Sequence, residues 1–159
     1  MDIIIAGHRL AREFRPTGRA YAIRIFGSGG EYDADAAEPL NGEYVFTDTV
    51  RFDETRKLNE GKSGLWFDGW MAQAMIGRFL AHRERCNQLL VHCYAGEERS
   101  PAVAKALNDR FELGERVFRL SGHVPDIGAA SVDCVPSRFS EFPLCDEYVY
   151  ATLMKAQLG

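Results

Sequence analysis

Leu89-Leu90-Val91-His92-Cys93-Tyr94-Ala95-Gly96-Glu97-Glu98-Arg99-Ser100-Pro101 is the segment from which the fold is read. Its apolar start, Gln88–His92, reads as a buried strand, and the polar, glycine-containing middle reads as a short loop. A helix is expected from Ser100, with Pro101 at its first position, where the missing N–H breaks no hydrogen bond. Ala102, Val103, Ala106, Leu107 and Phe111 then recur at helical spacing, and Gly114 supplies a stop. Strand, loop and helix in that order are the building unit of a parallel sheet covered by helices.

Working outward, Asp2–Ala6, Ala20–Ile25 and Tyr44–Arg51 are β-branched or apolar runs that predict three more strands. Residues 26–42, rich in glycine and small acidic side chains, predict a long loop. The glycines there are not followed by an amphipathic helix, so a dinucleotide-binding turn is disfavoured. A helix is predicted from Asp68, its N-cap, with Met71, Ala72, Met75, Ile76, Phe79 and Leu80 on one apolar stripe. Residues 115–140 carry Gly122, Pro125, Gly128 and Pro136 and are expected to be irregular. A last helix is expected after Pro143, turning Tyr148, Val149 and Leu153 inward. The whole predicts one α/β domain over residues 1–159, with a central, mainly parallel twisted sheet flanked by helices.

The chain has 159 residues, enough for a core without disulfides or a structural metal. A net charge of −4 gives no general attraction for nucleic acid or anionic membrane, so neither is expected as a partner. No stretch reaches the ~20 apolar residues of a membrane span. The start, Met1-Asp2-Ile3-Ile4-Ile5-Ala6-Gly7, lacks a basic leader and reads as a strand, so a cytoplasmic location is expected. There the four cysteines, 86, 93, 134 and 145, stay thiols and each needs its own explanation.

A loop between a strand end and a helix start aims several backbone N–H groups and the positive end of the helix dipole at one point, which suits a phosphate or sulfate. A cysteine opening that loop feels the same field, which together with a nearby cation favours ionised sulfur. Arg99 offers a planar fork for two phosphate oxygens, and Gly96 lets the chain curl around an anion. His92 and Cys93 have the wrong spacing for zinc.

His92-Cys93-x-x-Gly96-x-x-Arg99-Ser100 resembles the signature of the protein tyrosine phosphatase superfamily, particularly its small dual-specificity-like members. The run Val50-Arg51-Phe52-Asp53, the helix from Asp68 and the segment 143–153 also look like small bacterial and phage proteins described as tyrosine phosphatases. The resemblance implies that Cys93 is the nucleophile and forms a phosphocysteine. Arg99 would clamp the equatorial oxygens. The amides of Tyr94, Ala95, Gly96, Glu97, Glu98 and Arg99 would complete the cradle. Ser100 would ease departure of the sulfur, and His92 would shape the loop through its hydrogen bonds. The family takes its general acid from an upstream loop, and Asp53 at the end of the third strand matches best. Asp68 suits a helix cap, and Asp48 falls inside a strand. Neither metal nor cofactor is implied. The substrate would be a phosphorylated protein or a small phosphomonoester.

Glu97 and Glu98 depart from the family pattern: turned inward they would repel a dianion, and turned to solvent they would be screened. Two alternatives therefore stand beside hydrolysis, a phosphate-binding module without turnover and a thiol redox enzyme using the same loop. Cys86, Cys134 and Cys145 read as packing thiols, one of which would resolve an oxidised Cys93. Trp66 and Trp70 read as packing residues beside a loop, with ring faces suited to a phosphorylated aromatic group.

Overall fold

A computed structural model describes residues 1–158. Six strands, β1 (Asp2–Gly7), β2 (Ala20–Phe26), β3 (Phe46–Arg51), β4 (Gln88–Cys93), β5 (Arg116–His123) and β6 (Ser131–Ser137), form one twisted sheet in the order β3-β2-β4-β1-β5-β6. The first five are parallel and β6 is antiparallel to β5. The helices are α1 (His8–Glu13), α2 (Asp33–Ala37), α3 (Thr55–Asn59), α4 (Gly69–His82), α5 (Arg99–Phe111) and α6 (Glu147–Lys155). The α/β fold class expected from the pattern is the one observed.

Both sheet faces are covered, which is why β1, β2 and β4 read as unbroken apolar runs rather than as alternating ones. Ile3, Ile5, Ile23, Leu89 and Val91 face one way, into a core shared with Met75 and Phe79 of α4, Val103 and Leu107 of α5, and Val149 of α6. Ile4, Ala6, Ala22 and Leu90 face the other way, onto Ala11 and Phe14 at α1. Each of the larger side chains among these, taken fully out of water, contributes about 1.5–3 kcal/mol.

The sheet order places a switch point at the centre. From β1 the chain runs through α1 toward β2 on one side; from β4 it runs through α5 toward β5 on the other. Because α1 and α5 lie on opposite faces, a crevice opens beyond the carboxyl ends of β1 and β4, the place where open α/β sheets take their ligands.

Several expectations need correction. Residues 115–140 are not irregular but carry β5 and β6: β5 pairs with β1, remote in sequence, and β6 folds back on β5 as a hairpin at the sheet edge. Pro136 is tolerated there, opposite Phe118, since β6 is the sheet edge. The expected 26–42 loop contains α2. Helix α5 begins one residue early, at Arg99, so Pro101 is its third residue; it ends at Phe111, before Gly114, with Glu112 in the left-handed conformation at φ 52°. Asp68 does cap α4, accepting from the Met71 N–H at 2.8 Å. Leu80, Tyr148, Trp66 and Trp70 are exposed, Trp70 at 82%. No helix of the described residues is long and apolar enough to cross a membrane.

Candidate active site

The loop from Cys93 to Ser100 leaves the end of β4 and enters α5 above the end of β1. Gly96 has φ +75°, and a Cβ there would stand 2.6 Å from the Ala6 carbonyl carbon and 2.7 Å from the Gly7 nitrogen. Only glycine takes that backbone angle at no steric cost, and only glycine fits that close to a neighbouring main chain. The tight turn puts the Gly96 N–H 3.3 Å from Cys93 Sγ, with the Ser100 hydroxyl 3.2 Å away on the same sulfur. The Tyr94 carbonyl accepts from the His8 N–H at 3.1 Å, tying the loop to the start of α1. Cys93 is 2% exposed, and Ser100 is fully buried beside it.

Arg99 is a buried cation, also 2% exposed. Its Nη1 donates to the Phe52 carbonyl at 2.8 Å and its Nη2 to Glu54 Oε1 at 3.2 Å, while its buried Nε–H has no partner. A buried, unsatisfied donor on a charged group is costly to leave alone and is free for a ligand. Glu54 also pairs with Lys57 at 3.1 Å. Partial burial would raise the Glu54 carboxyl pKa, but the Arg99 charge and the Lys57 contact outweigh it and hold it below its ordinary range.

His92 lies beneath the loop, fully buried. Its Nε2 accepts from Arg24 Nε at 3.2 Å, and its Nδ1 has no partner within hydrogen-bond geometry. Burial, reinforced by the Arg24 charge, pushes its pKa down to about 3, so the ring is neutral at physiological pH. It takes no proton in that range, consistent with the loop-shaping role the sequence pattern implies.

Glu97 and Glu98 both turn away from the loop interior to arginines. Glu97 Oε1 meets Arg119 Nη1 at 2.8 Å, and Glu98 Oε1 meets Arg56 Nη2 at 3.2 Å. The inward-facing case that would repel an anion is not the one adopted. The Glu98 carbonyl accepts from the Asp146 N–H at 3.0 Å, which joins the loop to the start of α6.

Asp53 sits just after β3, beside Phe52 and Glu54, so the sequence places it next to the residues that hold Arg99. Both its oxygens are committed. Oδ1 accepts from the Ser28 N–H at 3.2 Å, and Oδ2 accepts from Ser28 Oγ at 2.5 Å and from the Leu65 N–H at 2.8 Å. Burial alone would raise its pKa, but these hydrogen bonds and the Arg99 charge outweigh it and set the carboxyl below its usual range. Asp48 is buried within β3 and paired with Arg78 at 2.9 Å.

Three side chains that buttress the loop were not anticipated. Glu54 anchors Arg99. Asp146, at the N-terminus of α6, accepts from Thr55 N at 3.1 Å, Thr55 Oγ1 at 2.9 Å and Val149 N at 3.1 Å. Arg24 binds His92. For Arg24 a signal was present, a lone charge in the apolar strand Ala20–Phe26; for the other two, carboxylates in polar stretches, there was none. Beside the loop, Thr55, Arg56, Glu98, Cys145 and Tyr148 line part of a cleft of about 530 Å³. Aromatic rings stand near: Tyr94, 63% exposed, meets Tyr32 edge-on at 6.2 Å, and Trp66, next to Leu65, meets Tyr148 at 5.4 Å. All four cysteines are free thiols. Among the described residues no three His, Cys, Asp or Glu side chains gather as a metal site would require.

No protein-family model, curated protein or solved structure matches the chain significantly. The functional reading therefore rests on the loop itself.

Proposed function

We propose that the chain is a cysteine-dependent phosphatase that hydrolyses phosphomonoesters through a phosphocysteine on Cys93. The observation that carries this reading is the sulfur held inside a curled loop by the Gly96 N–H, at the sheet's switch point. In the proposed reaction Cys93 Sγ attacks phosphorus, the S–P bond forms as the ester P–O bond breaks, and Asp53, once protonated, gives its proton to the departing oxygen. Water then attacks phosphorus and gives its proton to the Asp53 carboxylate, the S–P bond breaks, and phosphate leaves as the sulfur regains its negative charge with the Ser100 hydroxyl donating a hydrogen bond to it. This splits one hard displacement into two easier ones. Arg99, gripped from behind by Phe52 and Glu54, turns its unpaired Nε–H edge to the transferring oxygens, where preorganised donors act most strongly.

The exposed rings of Tyr94, Trp66 and Tyr148, with half-buried Tyr32 against Tyr94, favour a phosphorylated aromatic side chain, as in a tyrosine or dual-specificity protein phosphatase, and the neighbouring cleft has room for residues flanking it. A small aryl phosphomonoester meets the same chemistry. Four free thiols fit a reducing, cytoplasmic setting.

One observation favours a second reading, an anion-binding module with little turnover. Asp53 serves as general acid only after giving up its contacts with Ser28 and Leu65 and gaining a proton against a lowered pKa. An assay separates the two. Purified protein should release phosphate from p-nitrophenyl phosphate without added metal, and Cys93→Ser should abolish release while still binding tungstate. Turnover that survives Cys93→Ser would overturn the nucleophile; tungstate binding by the wild type with no release over long incubation would favour the binding module.

A further inference from the structure

Arg24 is the only charged residue in β2, a strand buried along its whole length, and is itself 3% exposed. A buried cation is expensive unless its donors are satisfied, and here each partner is specific. Nη1 donates to the Glu38 carbonyl at 2.7 Å and Nη2 to the Asp35 carbonyl at 3.4 Å, both at or near α2, and the guanidinium lies 5.1 Å from the Phe26 ring centre. That leaves Nε–H, which meets His92 Nε2 at 3.2 Å. The two residues sit in register across the parallel β2 and β4 pair, so the sheet itself sets their approach.

A guanidinium nitrogen carries its hydrogen at every working pH and can only donate. His92 Nε2 must then offer a lone pair, and a neutral imidazole with a bare Nε2 carries its proton on Nδ1. The Cys93 backbone lies near enough to the ring to favour a proton on it, and with Nε2 taken by Arg24 the nitrogen left to carry that proton is Nδ1, which has no other partner.

We propose that Arg24 is a positioning residue for the anion loop: it holds His92 as the Nδ1–H tautomer, so that the ring's single donor faces the Cys93 backbone and fixes the strand end from which the sulfur projects. The loop's part in this rests on the phosphatase reading; the tautomer does not. Other charged or titratable groups around the pair are His8 and Arg12 from α1, Asp35 and Glu38 from α2 and its end, Tyr44, and Arg99 from α5. His8 Nε2 meets Asp35 Oδ1 at 3.5 Å, and Arg12 pairs with Glu38, so none of these competes for His92 Nε2.

Two substitutions separate donation from bulk and charge. Arg24→Gln sets an amide nitrogen near the place of the arginine Nε and keeps a donor for His92; Arg24→Met keeps the stem and loses it. Nitrogen-15 histidine spectra of the wild type at pH 7 should show His92 with hydrogen on Nδ1 and a bare Nε2. Arg24→Gln should keep that signature, while Arg24→Met should lose it and bind tungstate about tenfold more weakly, the worth of one hydrogen bond. Thermal melts of both variants check that each is folded. Hydrogen on Nε2 in the wild type would overturn the proposal whatever the variants do. So would identical spectra and affinities for folded Gln and Met variants. Wild type that shows the expected tautomer but binds no tungstate would instead overturn the phosphatase reading and, with it, the loop's part of this one.

Discussion

Four side chains divide the work at the proposed centre, and each is placed by a different neighbour. Cys93 is oriented by the Gly96 N–H and the Ser100 hydroxyl, and Arg99 by the Phe52 carbonyl and Glu54. Glu97 and Glu98 are drawn off by Arg119 and Arg56, half-exposed pairs worth about 0–1 kcal/mol each, so they relieve repulsion more than they stabilise the fold. Gly96 carries the tightest constraint. A methyl group there would meet the Ala6 and Gly7 main chain, which has no side-chain rotation with which to yield. Gly96→Ala is expected to lower stability by about 1–3 kcal/mol, from the strained positive φ together with the clash. Tungstate affinity should fall at least tenfold, since a loop that cannot curl no longer aims its Gly96 N–H inward. Urea unfolding and anion titration measure the two effects, and a variant with wild-type affinity would show that the curl is not needed for binding.

At the scale of elements, the strand–loop–helix unit was legible because three signals coincide there: an apolar run, a proline in the first helical turn and a helical apolar stripe. Asp68 was legible as a cap for the same reason, a cap residue just ahead of a periodic pattern. The β5 and β6 hairpin was not. Gly122, Pro125, Gly128 and Pro136 imitate irregular chain, and the outer strand is mostly exposed, so its pairing comes from β5 and leaves no pattern in its own residues. Helices α1 and α3, of six and five residues, are too short to show a period. In the site, Cys93, Gly96, Arg99 and Ser100 share one short segment and could be read together. The partners of Asp53 are Ser28 and Leu65, brought together only by the fold. Asp146 is the clearest case of such long-range assembly: it caps α6 through Val149 and receives both donors of Thr55 at the start of α3, one residue beyond Glu54. Asp146→Ala should cost about 2 kcal/mol, through a lost cap and stranded Thr55 donors, and should lower phosphatase turnover by loosening the support of Arg99. Denaturant midpoints and steady-state rates check both. Unchanged turnover in a folded, destabilised variant would confine Asp146 to stability.

Across the whole molecule, the sheet buries two neutral histidines under the loop, and this gives folding an acid-sensitive component. The His92 pKa is about 3 when folded against 6.5 in an open chain, and that of His8 is lowered too, chiefly by burial. A lowered folded pKa means that the unfolded chain binds the proton first. Stability is therefore complete above pH 6.5 and is lost as pH falls from there toward 3. Between pH 7 and pH 5, His92 alone should remove about 2 kcal/mol, and His92→Gln should flatten that part of the stability curve in urea titrations. An equally steep curve in the folded variant would locate the sensitivity elsewhere. The same arrangement, strands diverging at a switch point and a loop closing over it, directs the fold toward one sulfur. The most direct test is rapid acid quenching of wild-type protein mixed with an aryl phosphate, followed by mass spectrometry of its peptides. The account predicts a phosphoryl group on Cys93 that forms and decays within turnover. Phosphate released with no adduct at Cys93, or with the adduct on another residue, would contradict it.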